Sequence, residues 1–490
     1  MARLPFAATL ASILIAILAV ILWESGEQRQ IFDVLSGLRV PKFSSTPSRQ
    51  SKPDTTAVVL NWSRLPNVIR IASLLCENTL DDVIASVVVW NNNPKALTYE
   101  DFASTGCPPT KLEIHNSPEN LYFQARFLAC AQSTTEFCFI QDDDYIVWSS
   151  VIQSLHARIA SSDVRGVHLL PPHEHLSSTL QTIVAPPNIH TDFAWLGHGA
   201  IIRKSVCAEF LSLLEYLEVN DEQRKMADNY YTILSNAFTE KWFDQGYELG
   251  GGQPFTVGTE GDLRNQRHIA SATQMLDQLF AGEASPCARG VPYVDCSENM
   301  QAPRLSYAPC KDTACLFQTN IQLLPALSAR ASRAAELAKV AQDNDAALGA
   351  EVKEHYLEFA PSNAVDSDPE TAFLSLYDAN AGDFVAIGWH NGSTSAEITF
   401  VVDKTTENLL SQAHFTTSIG SASVDKQDAQ GQRIDPVLRC RDYASTSSPL
   451  RRECTAKTSG HAQLLKVELP KAFEGGAGKW TIYEVQLRAV

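Results

Sequence analysis

At 490 residues the chain exceeds what one hydrophobic core usually supports, so two folded domains with connecting segments are expected. Apolar residues make up 44% and charged residues 19%, which excludes a disordered or fibrous chain. A formal charge of -17 without a basic stripe excludes a general nucleic-acid role, and an anionic small substrate would need a local metal.

Residues 1–3 read as a short tail, and Leu4 to Trp23 as an uncharged run long enough, as a helix, to cross a hydrocarbon core of about 30 Å. Arg3 precedes this run and Glu24 and Glu27 follow it, which predicts a type II signal anchor with the remaining chain in the lumen. A cleaved signal peptide is the competing reading, but the run is long for one and no small-x-small cleavage site follows it. Its length suits the thinner early secretory membranes, so the Golgi or endoplasmic reticulum is the expected location. Residues 24–55, with Ser, Pro, Arg, Lys and Thr and few large apolar groups after Val40, read as a stem.

From Ala57 onward, β-rich runs (AVVL, SVVVW) alternate with amphipathic stretches such as Val151, Ile152, Leu155 and Ile159. This predicts an α/β domain over 56–280, with a Cys-rich loop at 281–320 packed on it. An Ala-rich segment over 326–355 places Leu337, Val340, Leu348 and Val352 on one helical face and reads as a linker helix. Beyond it, over 356–490, alternating runs (FVAIGW, AEITFVV, LLKVEL, WTIYEVQL) between polar turns predict a β-sandwich.

Eleven cysteines in an oxidising compartment imply disulfides with one thiol left over. Cys440 and Cys454 are the two cysteines of the C-terminal region and are expected to pair. Cys287, Cys296, Cys310 and Cys315 can close two local bridges, and their spacing lacks the C-x2-C pairs of structural zinc.

The chemistry concentrates in FCFIQDDDYIV, where an apolar strand delivers Asp142, Asp143 and Asp144 to its C-terminal edge. Three adjacent carboxylates repel one another unless a cation or a dense set of donors offsets the repulsion, and oxygen-only ligands favour manganese or magnesium. A solvated acidic turn is the alternative. In WLGHGA, the glycines beside His198 allow close approach of an acceptor, and Trp195 offers a stacking face; both residues are equally compatible with structural roles. Asn61 and Asn391 begin glycosylation sequons, and Asn391 is the one expected to be accessible.

In order along the chain, VVLNWSR, SVVVWNN, NLYFQARF, the Asp run, LGHGAIIRKSV and ADNYYTIL resemble the exostosin-like glycosyltransferases, family 64, of the GT-A fold. The resemblance implies a nucleotide-sugar-binding domain with Asp144 as metal ligand and Asp142 and Asp143 on the donor's ribose and sugar hydroxyls. Arg64, Asn91 and Arg126 would bind the nucleotide, and Asp228 would lie beside the reacting face of the sugar. Taken singly, these residues also read as a surface cation, a turn residue, a helix-face ion pair and a helix cap. Arg267 beside His268 matches the family's phosphate-side pair in inverted order, with Arg264 as rival. The family transfers a hexosyl or N-acetylhexosaminyl group with retention, which implies a UDP- or GDP-sugar donor and a glycan, glycolipid or glycoprotein acceptor. SNAVDSDPETAF, with the closing WTIYEVQL, resembles the discoidin or coagulation-factor type C sandwich; Asp366, Asp368 and Thr371 there read as a turn more readily than as a calcium or glycan site. An inactive glycan-binding scaffold and a metal-dependent phosphotransferase or nuclease are the other classes compatible with clustered carboxylates.

Overall fold

The computed structural model describes residues 52–251, 259–297, 304–389 and 396–489, apart from short stretches at 419–421, 425–431, 435–437, 444–450, 459–461 and 477. The expected tail, the anchor at 4–23, nearly all of the stem and Asn391 lie outside the described residues. Among the described residues no helix is long and apolar enough to cross a membrane.

Seven strands form the first sheet: β1 (Thr55–Asn61), β2 (Ile84–Asn91), β3 (Leu112–Asn116), β4 (Phe137–Gln141), β5 (Gly166–Leu170), β6 (Ala200–Arg203) and β7 (Glu240–Phe243). Their spatial order is β7-β5-β6-β4-β1-β2-β3. β1 pairs in parallel with β2 and β4, whereas β6 runs antiparallel between β4 and β5. Both faces of the sheet are covered, which is why its central strands read as unbroken apolar runs. Ala57, Val59, Phe137 and Phe139 face a layer containing α1 (Leu65–Leu75) and α3 (Ser149–Ala160). Val58, Cys138 and Ile140 face the layer of α2 (Gln124–Gln132), α5 (Lys204–Tyr216), α6 (Asp228–Leu234) and α7 (Thr259–Phe280). The chain steps outward from β1 to β3, then returns to β4 on the other flank of β1. That reversal opens a crevice at the carboxyl ends of β1 and β4, the usual ligand position in open α/β sheets.

The segment expected as a loop over 281–320 divides between two cores. Cys287 bonds to Cys296, and Val291, Tyr293 and Val294 pack on the α/β unit. The rest forms a hairpin, β8 (Ser306–Pro309) and β9 (Cys315–Thr319), closed by Cys310–Cys315. This hairpin joins the C-terminal sheet instead of lying as a loop on the α/β domain. Leu316 and Tyr307 enter the α/β core while Phe317 and Ala308 enter the C-terminal one, so the hairpin is a wall shared by both.

The linker helix begins later than expected. Asp277 of α7 accepts the N–H groups of Ala334 (2.6 Å) and Ala335 (2.9 Å), and Ser332 donates from its N–H and Oγ to Glu336. These bonds satisfy free amides where the helix starts, so α8 runs over Leu337–Glu358, with a break at Gly349 (φ 74°).

The sandwich continues with β10 (Phe373–Leu374), β11 (Phe384–Trp389), β12 (Ala396–Val402), β13 (His414–Ser418), β14 (Gln432–Ile434), β15 (Arg439–Asp442), β16 (Arg452–Lys457), β17 (Leu464–Glu468) and β18 (Thr481–Ala489). Two sheets result, ordered β8-β9-β11-β17-β13-β14 and β10-β18-β12-β16-β15. Cys440 is bonded to Cys454 across β15 and β16. Arg158 of α3 ties the two halves together, holding Glu240 of β7 through two bonds (2.8 and 2.7 Å) and donating to Ser423. Cys76–Cys107 and Cys130–Cys138 brace the α/β unit, and Cys207 is a buried free thiol.

Candidate active site at the carboxyl edge of the sheet

All five residues of β4 are buried, and the strand ends at Gln141, whose Nε2 donates to Tyr145 O at 2.7 Å. That bond closes the turn holding Asp142, Asp143 and Asp144. The turn is fixed from two further sides, since Asp142 N–H donates to Gly197 O (2.9 Å) and Leu249 N–H donates to Asp144 O (2.7 Å). Asp142 sits so close that a Cβ at Gly197 would lie 2.5 Å from its Oδ2. The glycine before His198 thus makes room for Asp142, and Gly199 adopts φ +115°, a conformation costly for other residues.

Each carboxylate faces a cation brought from elsewhere in the chain. Arg64, at the start of α1, donates to Asp143 at 2.7 Å and lies 3.1 Å from Asp144. Arg126 of α2 is fully buried, donates to Asp142 at 2.6 Å and forms an ion pair with Asp228 at 3.0 Å. Asp228 is the first residue of α6, whose cap is Ala227 with no side-chain bond, so Asp228 does not cap the helix. One of its oxygens, Oδ1, is buried without a protein partner.

The electrostatics follow from burial. Burial pushes the Asp228 carboxyl up to about 7; Arg126 opposes the shift and Asp142 adds to it. Burial likewise raises Asp143 to about 6 against the pull of Arg64, and raises Asp144, assisted by Asp142 and opposed by Arg64 and His198. Protons held near neutrality in a crevice mark a site built for chemistry more often than one built for stability.

The remaining candidate residues fall in different places. Asn91 is buried within an asparagine ladder across β1, β2 and β3. It accepts from Asn61 Nδ2 (2.7 Å) and donates to Asn116 Oδ1 (2.8 Å) and Lys95 O (2.9 Å). Its amide therefore positions the strand ends, and the free group of the ladder is Asn61 Oδ1, buried and unpartnered. The Asn61 amide is thus buried in the fold. His198 pairs with Glu174 at 3.0 Å and meets the Tyr145 ring edge-on, with centroids 4.5 Å apart. Burial disfavours charge on this ring, but Glu174 outweighs burial and raises its pKa. Trp195 is half-buried, its ring against Phe193 and its carbonyl bonded to His168. Arg267 is exposed on α7, and among the described residues it forms no ion pair with the acidic run; its charge and that of Arg264 act on His268. His268 bonds to Tyr230 at 2.8 Å.

Two acids beside the run were not anticipated from sequence. Asp244 follows β7 and accepts from Tyr145 at 2.9 Å, and Glu174 lies in the first turn of α4 (Pro172–Leu180). A carboxylate directly after a buried strand was the signal that identified Asp142, and Asp244 shares it in weaker form.

Although Arg64 lies 3.1 Å from it, Asp144, at 42% side-chain exposure, is the carboxylate of the run most open to a ligand. A single open carboxylate with further oxygens nearby suits manganese or magnesium, which keep waters and share a donor's phosphates. Among the described residues the one close group of metal-type side chains is Glu407 with Cys440 and Cys454, whose sulfurs are spent on each other.

No family profile matches the chain, and no curated protein does. Solved structures similar to it include the mannosyltransferase PcManGT from Pyrobaculum calidifontis in complex with GDP-Man and Mn2+, at 16% identity and a TM-score of 0.33 over 56% of this chain and 79% of that one. S. aureus TarS in complex with UDP gives 15% and 0.29 over 47% and 72%. Glucosyl-3-phosphoglycerate synthase from Mycobacterium tuberculosis, in complex with phosphoglyceric acid, gives 10% and 0.30 over 45% and 79%. Likeness at this level assigns no substrate and no residue role to this chain.

Proposed function

We propose that this protein is a metal-dependent glycosyltransferase that moves a sugar, with retention, from a UDP- or GDP-sugar to a hydroxyl of a glycan, glycolipid or glycoprotein. The observation that carries this reading is the ion-pair chain Asp142–Arg126–Asp228, buried at Arg126 and Asp228 and reaching the surface at Asp142, set beside an open Asp144 at the switch point of the sheet. When bound at Asp144, manganese or magnesium would supply positive charge to the departing diphosphate.

The chain's own groups divide the remaining work. Arg64 fixes Asp143 through their ion pair, and Asp142 and Asp143 accept from the hydroxyls of the donor. Arg126, itself buried, locks the part-exposed Asp142 and the buried Asp228 in one geometry. The unpartnered oxygen of Asp228 is available to the electron-poor carbon that forms as the sugar leaves, which a carboxylate stabilises more strongly in the transition state than in the ground state. In a front-side displacement the acceptor oxygen bonds to that carbon as the carbon–phosphate oxygen bond breaks, and the acceptor proton passes to the departing phosphate oxygen.

The order of strand and loop motifs that resembles the exostosin-like family supports the donor class. The apolar run Leu4–Trp23 supports a type II anchor with the catalytic unit in the Golgi or endoplasmic reticulum lumen. The test is a panel of UDP- and GDP-sugars offered to the purified full chain with manganese. Hydrolysis of at least one donor, abolished by a chelator, is the expected result; binding and hydrolysis of none would overturn the proposal.

A further inference from the structure

A second cavity, of about 1020 Å³, lies away from the acidic run, and none of Arg64, Asp142, Asp143, Asp144 or Asp228 lines it. It opens beside the edge strand β7 and its neighbour β5, the end of α6, the chain around Tyr293, and residues 320–330 with α8. Clefts of this size between packed units are common ligand positions.

Its charges are cancelled by protein neighbours. Asp192, 1% exposed, accepts Thr239 N–H at 3.1 Å and Lys241 Nζ at 2.5 Å. Glu240 is held by Arg158, and Arg165 lies over the Tyr293 ring at 4.5 Å. Two acids, Asp163 and Asp295, and two bases, Arg304 and Arg330, also line it and add no net charge. An ion therefore gains little by entering, while neutral polar groups find partners. His168 is buried on the cavity wall, and its Nδ1 is spent on the Trp195 carbonyl at 2.9 Å. A carbonyl only accepts, so Nδ1 carries the hydrogen and Nε2 keeps a lone pair for a ligand hydroxyl. Burial lowers this ring's pKa to about 4, which keeps it neutral. Of the aromatic residues along the cleft, Tyr231 and Tyr293 are packed into the α/β core, and the half-buried Phe238 is the ring on which the apolar face of a sugar can pack.

We infer that this cleft binds a short, uncharged oligosaccharide, at a site separate from the carboxyl edge of the sheet. Binding here is independent of the transfer reaction proposed above. The test uses the purified full chain in a detergent without a sugar headgroup, titrated with maltotetraose, cellotetraose, xylotetraose, mannotetraose and chitotetraose by calorimetry and ligand-observed NMR. At least one should bind. Ala237→Trp, which fills the cavity from a half-buried position, should weaken binding about tenfold or more. Phe238→Ala, which removes one wall without overfilling, should weaken it by about fivefold. Asp144→Ala should leave it unchanged. The inference fails if no tetrasaccharide binds at millimolar concentration or if both cavity variants bind normally. It fails equally if Asp144→Ala abolishes binding, or if a sulfated oligosaccharide binds tighter than its neutral counterpart.

Discussion

Two acidic stretches of this chain look alike as text and behave differently as structure. In the sandwich, Asp366 accepts Asp368 N–H at 2.9 Å and Thr371 Oγ1 at 2.8 Å, and Asp368 accepts Glu370 N–H at 3.0 Å. Every partner lies within five residues, so the turn satisfies itself. At the sheet edge Asp142 and Asp143 find partners 16 and 79 positions away. Burial there leaves Asp143 near 6 and Asp228 near 7, a cost that the turn at Asp366 does not share to the same degree. Self-satisfied carboxylates build a turn. Carboxylates assembled over long range at an energetic penalty, with one oxygen left over, build a site.

The contrast can be tested by substitutions of decreasing consequence. Asp144→Ala should lower manganese-dependent turnover on the order of 10³-fold while leaving the melting curve in place, because an open carboxylate carries little of the fold. Normal turnover in that variant would remove the distinction between the two stretches. Arg126→Met strands the Asp228 carboxylate in the core and leaves Asp142 without its cation, and should cost about 3–5 kcal/mol in urea unfolding. Adding Asp228→Asn should recover part of that loss, as expected for groups in one network.

Asp228→Asn alone should reduce kcat about 100-fold and remove an ionisation near pH 7 from the pH–rate profile. Stability gives an independent reading of the same carboxyl. Its folded pKa is raised above the ordinary 3.8, so between about pH 4 and 7 the folded state holds a proton that the unfolded chain has released. Native stability should therefore fall as pH rises through that window, and the slope should flatten in Asp228→Asn. Asp366→Ala, by contrast, should cost about 1 kcal/mol at any pH near neutrality and leave turnover unchanged. A loss of turnover there would mean that the sandwich turn serves the reaction.

Much of this was legible in the residues. FCFI before three aspartates marks a strand buried on both faces with charge at its end, and that is where β4 delivers them. The pairing of Cys440 with Cys454 also followed from their isolation in the C-terminal region. Asp244 escaped notice because only Trp242 and Phe243 stand before it as large apolar residues, too short a run to stand out. Asn91 was read as a ligand-facing amide because nothing local reveals that Asn61 and Asn116 come into register on either side of it. The hairpin of β8 and β9 was read as loop because all five residues of β9 are buried, between two cores, which erases the alternation that marks a half-exposed strand.

Sequence by itself determined that apolar runs alternate with amphipathic stretches before an all-β end, and where the carboxylates cluster, because these depend on hydrophobic patterns and charges within a few neighbours. Tertiary structure alone decided that Arg126 joins Asp142 to Asp228, that Arg64 stands between Asp143 and Asp144, and that a neutral cleft opens beside Asp192. Those outcomes depend on sheet order and on burial, which place groups far apart in the chain within bonding distance and set the cost of their charges.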